Sequence, residues 1–432
     1  MIVQPEGGLT TESALTPADS ARYESRFASR AAGIVSSVMR DLMSLAEQPD
    51  IISLAGGFPN TESFQREMFD DVMEVVAREH LASALQYGPT EGLLELRERI
   101  VEMMRWEGAR ARVEDVMITS GGQQAIDLSI RTFCNPGDTI LAEGPTYPGA
   151  VPCFTTYEAR VEHVPLDDDG LRVDLLEEML DRLVAEGRPP KLLYTIPNFH
   201  NPGGVTMSRE RRERLVRLAH ERELLIVEDN PYGQVRFDGE PLPSLWELDD
   251  GAGWVIYLST FSKILSPGTR VGWVAAPAPV LRKMNLGKQA ADLCTSTISQ
   301  RFIIEYMRRY DWRDYVVRLN GIYRARRDAM LRALEEEMPA EATWTRPDGG
   351  LFVWATMPDY VDTTDLLVAA RERHQVAFVP GRGAFRDGRG GNSMRLNFSG
   401  VPEAVISEGV RRLGAAVTEA GELHRALGGG ER

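Results

Sequence analysis

Cysteine is scarce in this chain. Cys134, Cys153 and Cys294 are widely spaced, odd in number and without a CxxC pair, so neither a disulfide framework nor a zinc site is expected. Histidine is sparse too. Its six copies are scattered, with no HExxH or comparable cluster, and a metal enzyme is not expected. No apolar run approaches the length of a membrane span. The opening "MIVQPEGGLTTESALTPADS" lacks a basic start followed by an apolar core, so it does not read as a secretory signal. Positive charge is also in deficit, and the net charge of -15 argues against a general binder of nucleic acid or acidic membrane. A reducing cytoplasm is the expected address.

What is present fits a large soluble protein. The 432 residues, 43% hydrophobic and 26% charged, can build a large core and two domains. Residues 1–24 read as a loose tail rich in Gly, Thr, Ser and Pro. From Ser25 to Glu47 a helix is expected, because Ile34, Val38 and Leu42 recur every four residues. Apolar or β-branched runs then recur at 116–120 ("VMITS"), 139–143 ("TILAE"), 160–166 ("RVEHVPL"), 191–197 ("KLLYTIP"), 224–229 ("LLIVED"), 254–260 ("WVIYLST") and 270–276 ("RVGWVAA"). Helical stretches such as 208–224 lie between several of them. This alternation predicts an α/β fold with a mostly parallel sheet covered on both faces. Beyond about residue 310, long charged helices and strands at 350–356, 376–380 and 393–399 predict a second, smaller α+β domain. The expected division is a segment 25–60 joining the small domain, a large domain 61–309 and a small domain 310–432.

Open α/β sheets bind ligands beyond the carboxyl ends of their strands, and the residues there are unusually specific. "VMITS" leads into "GGQQ", a glycine turn whose following helix offers free amides to an anion. "TILAE" leads to Tyr147, "KLLYTIP" to Asn198 and Asn201, and "LLIVE" to Asp229 and Tyr232. Each alone is as readily a turn or packing residue. "YLSTFSKILSPGTRVGW" is harder to dismiss, since it puts Lys263 just past a buried strand among hydroxyls, with Arg270 seven residues on. A buried ammonium is costly unless it is partnered or kept neutral for chemistry. A phosphorylated aromatic aldehyde would use the whole set: lysine for a Schiff base, aspartate for a pyridinium, amide and phenol for a ring phenolate, and the turn for a phosphate.

The chain resembles the fold-type I, pyridoxal-phosphate-dependent aminotransferases of class I/II, and within them the 2-aminoadipate and kynurenine aminotransferase branch. The resemblance runs from about residue 25 to 418. It rests on "IISLAGGFPN", "ALQYGPTEGLLELR", "SGGQQA", "NFHNPGG", "VEDNPY", "STFSKILSPGTRVGW", "RPDGGLFVW", "VAFVPG" and "MRLNFS", in that order. It implies a seven-stranded, mostly parallel large-domain sheet, the cofactor pyridoxal 5'-phosphate and a homodimer. Lys263 would form the internal aldimine and shuttle the substrate proton, Asp229 would pair with the pyridine nitrogen, and Tyr147 would stack on the ring. Asn201 and Tyr232 would reach the phenolate. Gly121, Gly122, Gln123, Ser259, Thr260, Ser262 and Arg270 would hold the phosphate, with Tyr87 reaching in from the partner subunit. Arg395 would clamp the substrate carboxylate, beside Asn201 and Gly57, and Arg40 would greet a distal carboxylate. Three turns depart from the commoner pattern: Gly122 replaces a hydroxyl residue, "NPGG" replaces Asn-Pro-Thr-Gly, and Asn230 stands where an acid is frequent. None touches the lysine or its aspartate.

The implied activity is transfer of the amino group of an L-α-amino acid to a 2-oxo acid, such as 2-oxoglutarate, by a ping-pong route. A lyase or oxidase on the same fold is the alternative, because the cofactor supplies the electron sink in each case. A transcription regulator with an aminotransferase-like domain would need a winged-helix module, for which about 25 residues ahead of the first shared motif are too few.

Overall fold

The computed structural model describes Tyr23 and residues 25–33, 50–61 and 63–426. The chain forms strands β1 (Ile52–Ser53), β2 (Val116–Thr119), β3 (Thr139–Gly144), β4 (Arg160–Asp167), β5 (Gly170–Leu171), β6 (Leu192–Thr195) and β7 (Leu225–Asp229). They are followed by β8 (Val255–Thr260), β9 (Gly272–Ala275), β10 (Thr343–Trp344), β11 (Phe352–Thr356), β12 (Val376–Ala377), β13 (Val379–Pro380) and β14 (Ser393–Asn397).

All seven apolar runs between residues 116 and 276 become strands of one sheet, in the order β2-β9-β8-β7-β6-β3-β4-β5. β4, β3, β6, β7 and β8 run parallel, and β9 is inserted antiparallel between β2 and β8. The sheet has eight strands where seven were expected. The eighth, β5, pairs antiparallel with β4 for two residues, too short a run for any period to show. Successive residues feed opposite faces. Ile140, Ala142, Leu192, Tyr194, Val227 and Ile256 join one core with Ala125, Ile126 and Ile130 of helix Gly122–Phe133. Leu141, Leu193, Ile226 and Val255 join another with helices Val173–Ala185 and Arg209–Arg222. Burial on both faces is why the strands read as continuous apolar runs.

Helix Arg209–Arg222 starts where the Ser208 side chain accepts from the Arg211 amide and ends on Glu223 in the left-handed region. It buries Arg212 completely. That guanidinium donates to the carbonyls of Met207, Pro243 and Pro197 and to Asn198 Oδ1, so a costly buried charge is spread over four acceptors and pins the loop after β6.

A second sheet, β10-β11-β14-β13, is antiparallel. Its β14 lies between β11 and β13, with Arg395 opposite both Trp354 and Val379. β1 pairs in parallel with β12, bringing residues 52–53 against 376–377. The expected helix from Ser25 is not seen at its start: residues 25–26 are turn, and Ser29–Gly33 is a 3-10 turn. Ile34, Val38, Leu42 and Arg40 lie outside the described residues. No described helix is long and apolar enough to cross a membrane.

Candidate active site

The carboxyl ends of β2, β3, β6, β7 and β8 meet at one edge, and because β9 is antiparallel, Arg270 just before it lies at the same edge. There, β2 is followed by Ser120 and Gly121. Gly121 has φ +80°, and it caps helix Gly122–Phe133 without a side-chain hydrogen bond. The first helical amides are thus left for an anion. A Cβ on Gly272 would lie 2.8 Å from Gly121 C, Gly122 N and Ser259 O, so three backbones touch where only glycine fits.

The hydroxyls around this cup are ordered. Thr260 Oγ1 and Ser262 Oγ lie 2.8 Å apart, and the Ser262 amide donates to Thr260 Oγ1 at 3.1 Å. Ser259 instead donates to the Asn230 carbonyl at 2.8 Å, so its proton is already committed. Arg270, itself left-handed at φ 51°, extends Nη2 to within 3.5 Å of the Ser120 carbonyl. The Gln123 side chain donates to the Gly149 carbonyl at 2.6 Å and to Cys153 Sγ at 3.2 Å. It is occupied in holding the Tyr147 loop, and its backbone amide is the group that faces the cup end of the helix.

Lys263 follows three residues after β8. Its Nζ donates to the Gly57 carbonyl at 2.9 Å and lies 5.9 Å from the centre of the Tyr232 ring. Burial, with Arg395 and Arg270 adding to it, lowers this amine to about 8, against a smaller opposing pull from Asp229. Asp229, the last residue of β7, is buried, and burial raises its carboxyl to about 7 although the Tyr194 hydroxyl donates to it at 2.5 Å. A lysine shifted down and an aspartate shifted up, both by desolvation and both at one sheet edge, mark a candidate functional site.

Arg395 is buried. Nη1 donates to Asn201 Oδ1 at 3.0 Å, Nη2 donates to the Ala55 carbonyl at 2.9 Å, and the guanidinium stands 4.3 Å over the Phe352 ring. Asn201 Nδ2 in turn donates to the Tyr232 hydroxyl at 3.3 Å. Residues 55–57 therefore form a strap whose carbonyls hold Arg395 at one end and Lys263 at the other. A Cβ on Gly57 would sit 3.3 Å from the Phe352 ring, so its absence leaves room beside that ring. Tyr147 is half-buried, and its hydroxyl is pushed up by burial and then by Asp229. Tyr87 stands 77% exposed.

Three participants were missed in the sequence. Tyr194 holds Asp229. Glu143 accepts from Thr195 Oγ1 and the Ile196 amide, with His200 Nε2 3.0 Å away. Ala55 holds Arg395. For Tyr194 a signal existed, since a tyrosine within an aliphatic strand needs a partner for its hydroxyl.

Residues 49–413 match the family described as aminotransferase class I and II. The chain belongs to this family. The aromatic-amino-acid aminotransferase 1 of Thermococcus litoralis is 47% identical to this aminotransferase over 399 residues, covering 92% of this chain and 95% of the relative. The 2-aminoadipate transaminase of Thermus thermophilus is 40% identical, covering 91% and 97%. A Pyrococcus horikoshii kynurenine aminotransferase, solved in complex with PMP, superposes with a TM-score of 0.88 at 42% identity, covering 92% and 98%. The enzyme is thus a fold-type I transaminase that uses pyridoxal 5'-phosphate and acts on amino and oxo acids.

Proposed function

We propose that this aminotransferase moves the amino group of an L-α-amino acid of the 2-aminoadipate, aromatic or branched-chain type to a 2-oxo acid such as 2-oxoglutarate in two half-reactions. The observation that carries this reading is the meeting of Lys263, Asp229 and Arg395 beside a helix N-terminus whose amides are free for a phosphate. Bound there, pyridoxal phosphate supplies an electron-poor ring that makes the α-proton of an attached amino acid removable.

The residues divide the work by chemistry. The amides of Gly122 and Gln123, the hydroxyls of Thr260 and Ser262, and Arg270 would hold the phosphate, while Gly121 and Ser259 would shape the cup only, since the Gly121 amide donates to the Thr119 carbonyl at 2.8 Å and the Ser259 hydroxyl to that of Asn230. Asp229 would pair with the ring nitrogen, and a cation there would favour its ionised carboxylate against the burial that raises it. Asn201 and Tyr232 donate to the ring oxygen, and Tyr147 covers the ring face. Lys263 Nζ would anchor the cofactor and, once displaced by the substrate amine, would serve as the base that holds and carries the substrate Cα proton. Arg395 orients the α-carboxylate as a planar fork, with Asn201 beside it. Tyr87 reaches the phosphate of the partner subunit in a homodimer. The exposure of Tyr87 at 77%, with Leu81 at 53% and Leu85 at 68%, supports an interface there. Gly57 and Phe352 line room for the donor side chain, and Arg40 meets a distal carboxylate where one exists. The cytoplasm is the proposed address, which suits three free thiols.

Two experiments follow. Holo-enzyme mixed with single L-amino acids, without acceptor, is expected to lose its visible cofactor band with donors of these classes and to regain it on adding 2-oxoglutarate. Fast discharge by 2-aminoadipate supports Arg40; discharge by leucine or aromatic donors alone removes that role. A band that no donor discharges moves the reading to a lyase or oxidase. Separately, the rate at which cofactor-free enzyme captures pyridoxal phosphate should rise with pH and level off above about 8, because only the neutral amine attacks. A rate still climbing well beyond pH 9 would show an ordinary lysine, whose usual value is about 10.4.

A further inference from the structure

Behind the anion cup lies a second polar cluster. Lys288, on helix Ala278–Ala291, is fully buried, and that helix packs against Gly122–Phe133. Its Nζ donates to Asp292 Oδ1 at 2.7 Å and Oδ2 at 2.8 Å, and to Gln124 Oε1 at 3.0 Å. Asp292 Oδ2 also accepts from Ser120 Oγ at 2.6 Å and Gln124 Nε2 at 2.8 Å. Gln124 Oε1 accepts from the Ser120 amide at 2.8 Å. Both the amide and the hydroxyl of Ser120 are therefore held from behind, while its carbonyl faces Arg270 Nη2 at 3.5 Å.

We propose that the Lys288–Asp292 pair is a positioning clamp that presets the Ser120–Gly122 turn for the cofactor phosphate. Lys288 has no exposed surface, so it acts through Ser120 and Gln124 and not on the ligand. Two successive glycines follow Ser120, the most mobile backbone available. Ordering one such residue at the moment of binding weakens affinity by roughly tenfold. A turn already held by an ion pair avoids that loss. An ion pair whose ammonium is wholly buried and whose carboxylate is only partly exposed is poor value for stability alone, whereas here its hydrogen bonds converge on one turn. The inference rests on the phosphate assignment proposed above.

The test compares cofactor-free wild type, Lys288→Met and the double variant Lys288→Met/Asp292→Asn, titrated with pyridoxal 5'-phosphate and with pyridoxal, which lacks the phosphate. The double variant leaves no uncompensated buried charge, so it keeps the test open should the single variant fold poorly. The expected result is pyridoxal phosphate affinity weaker by roughly tenfold or more in each folded variant, with pyridoxal affinity unchanged and kcat at saturating cofactor near wild type. The clamp is overturned if phosphate-bearing and phosphate-free forms weaken equally, if affinity is unchanged, or if the double variant recovers wild-type affinity. Wild type that takes up neither form would instead sink the underlying cofactor-site reading.

Discussion

Lys263→Ala should abolish transamination, lowering kcat by on the order of ten-thousandfold or more, because one group serves as both anchor and proton carrier. The variant should still take up pyridoxal phosphate through the cup, since Gly122, Thr260, Ser262 and Arg270 are untouched. Borohydride should no longer fix that cofactor to the chain. Added primary amines should restore some turnover by carrying the proton in place of the lost Nζ. Turnover within tenfold of wild type, or cofactor still fixed by borohydride, would remove Lys263 from both roles.

Asp229→Asn should lower kcat/KM by roughly a hundred- to a thousandfold, the range seen when one aimed electrostatic contact is removed from a water-poor site. The side chain keeps its shape and its place beside the Tyr194 hydroxyl, and only the charge offered to the ring nitrogen goes. Stability of the cofactor-free protein should respond differently. The Asp229 carboxyl is raised from 3.8 to about 7 by burial, so the folded state binds more protons than the unfolded chain between those values. Its contribution is present at low pH and is lost as pH rises through about 7. The fall in Tm between pH 5 and pH 8 should therefore be smaller in Asp229→Asn than in wild type. An unchanged kcat/KM would end the assignment of Asp229 to the cofactor. An unchanged Tm profile would show that its carboxyl ionises normally.

Much of the site was legible because of where its residues fall along the chain. Asp229, Asn201, Tyr147 and the Gly121–Gly122 turn each follow an aliphatic run, and in a sheet buried on both faces such runs show no alternation, so their ends are plain to see. Lys263 and Arg270 were legible for the same reason at the end of β8 and the start of β9. β5 was not, being two residues long. The opening of the helix expected from Ser25 failed because its periodic positions begin only at Ile34, and the residues before them settle into turns.

The sequence by itself determined the strands, their polar ends and the chemical character of the set collected there. The tertiary structure decided which side chains support which. Ser259 turns to the Asn230 carbonyl, the Gln123 side chain ties down Gly149, and Lys288 reaches Gln124 across two packed helices. The strap of Ala55 and Gly57 depends on β1 pairing with β12, more than three hundred residues away in the chain. It acts through carbonyl oxygens, which every residue carries. A backbone acceptor leaves no mark in a sequence, and only the fold says which carbonyl meets Arg395 and which meets Lys263.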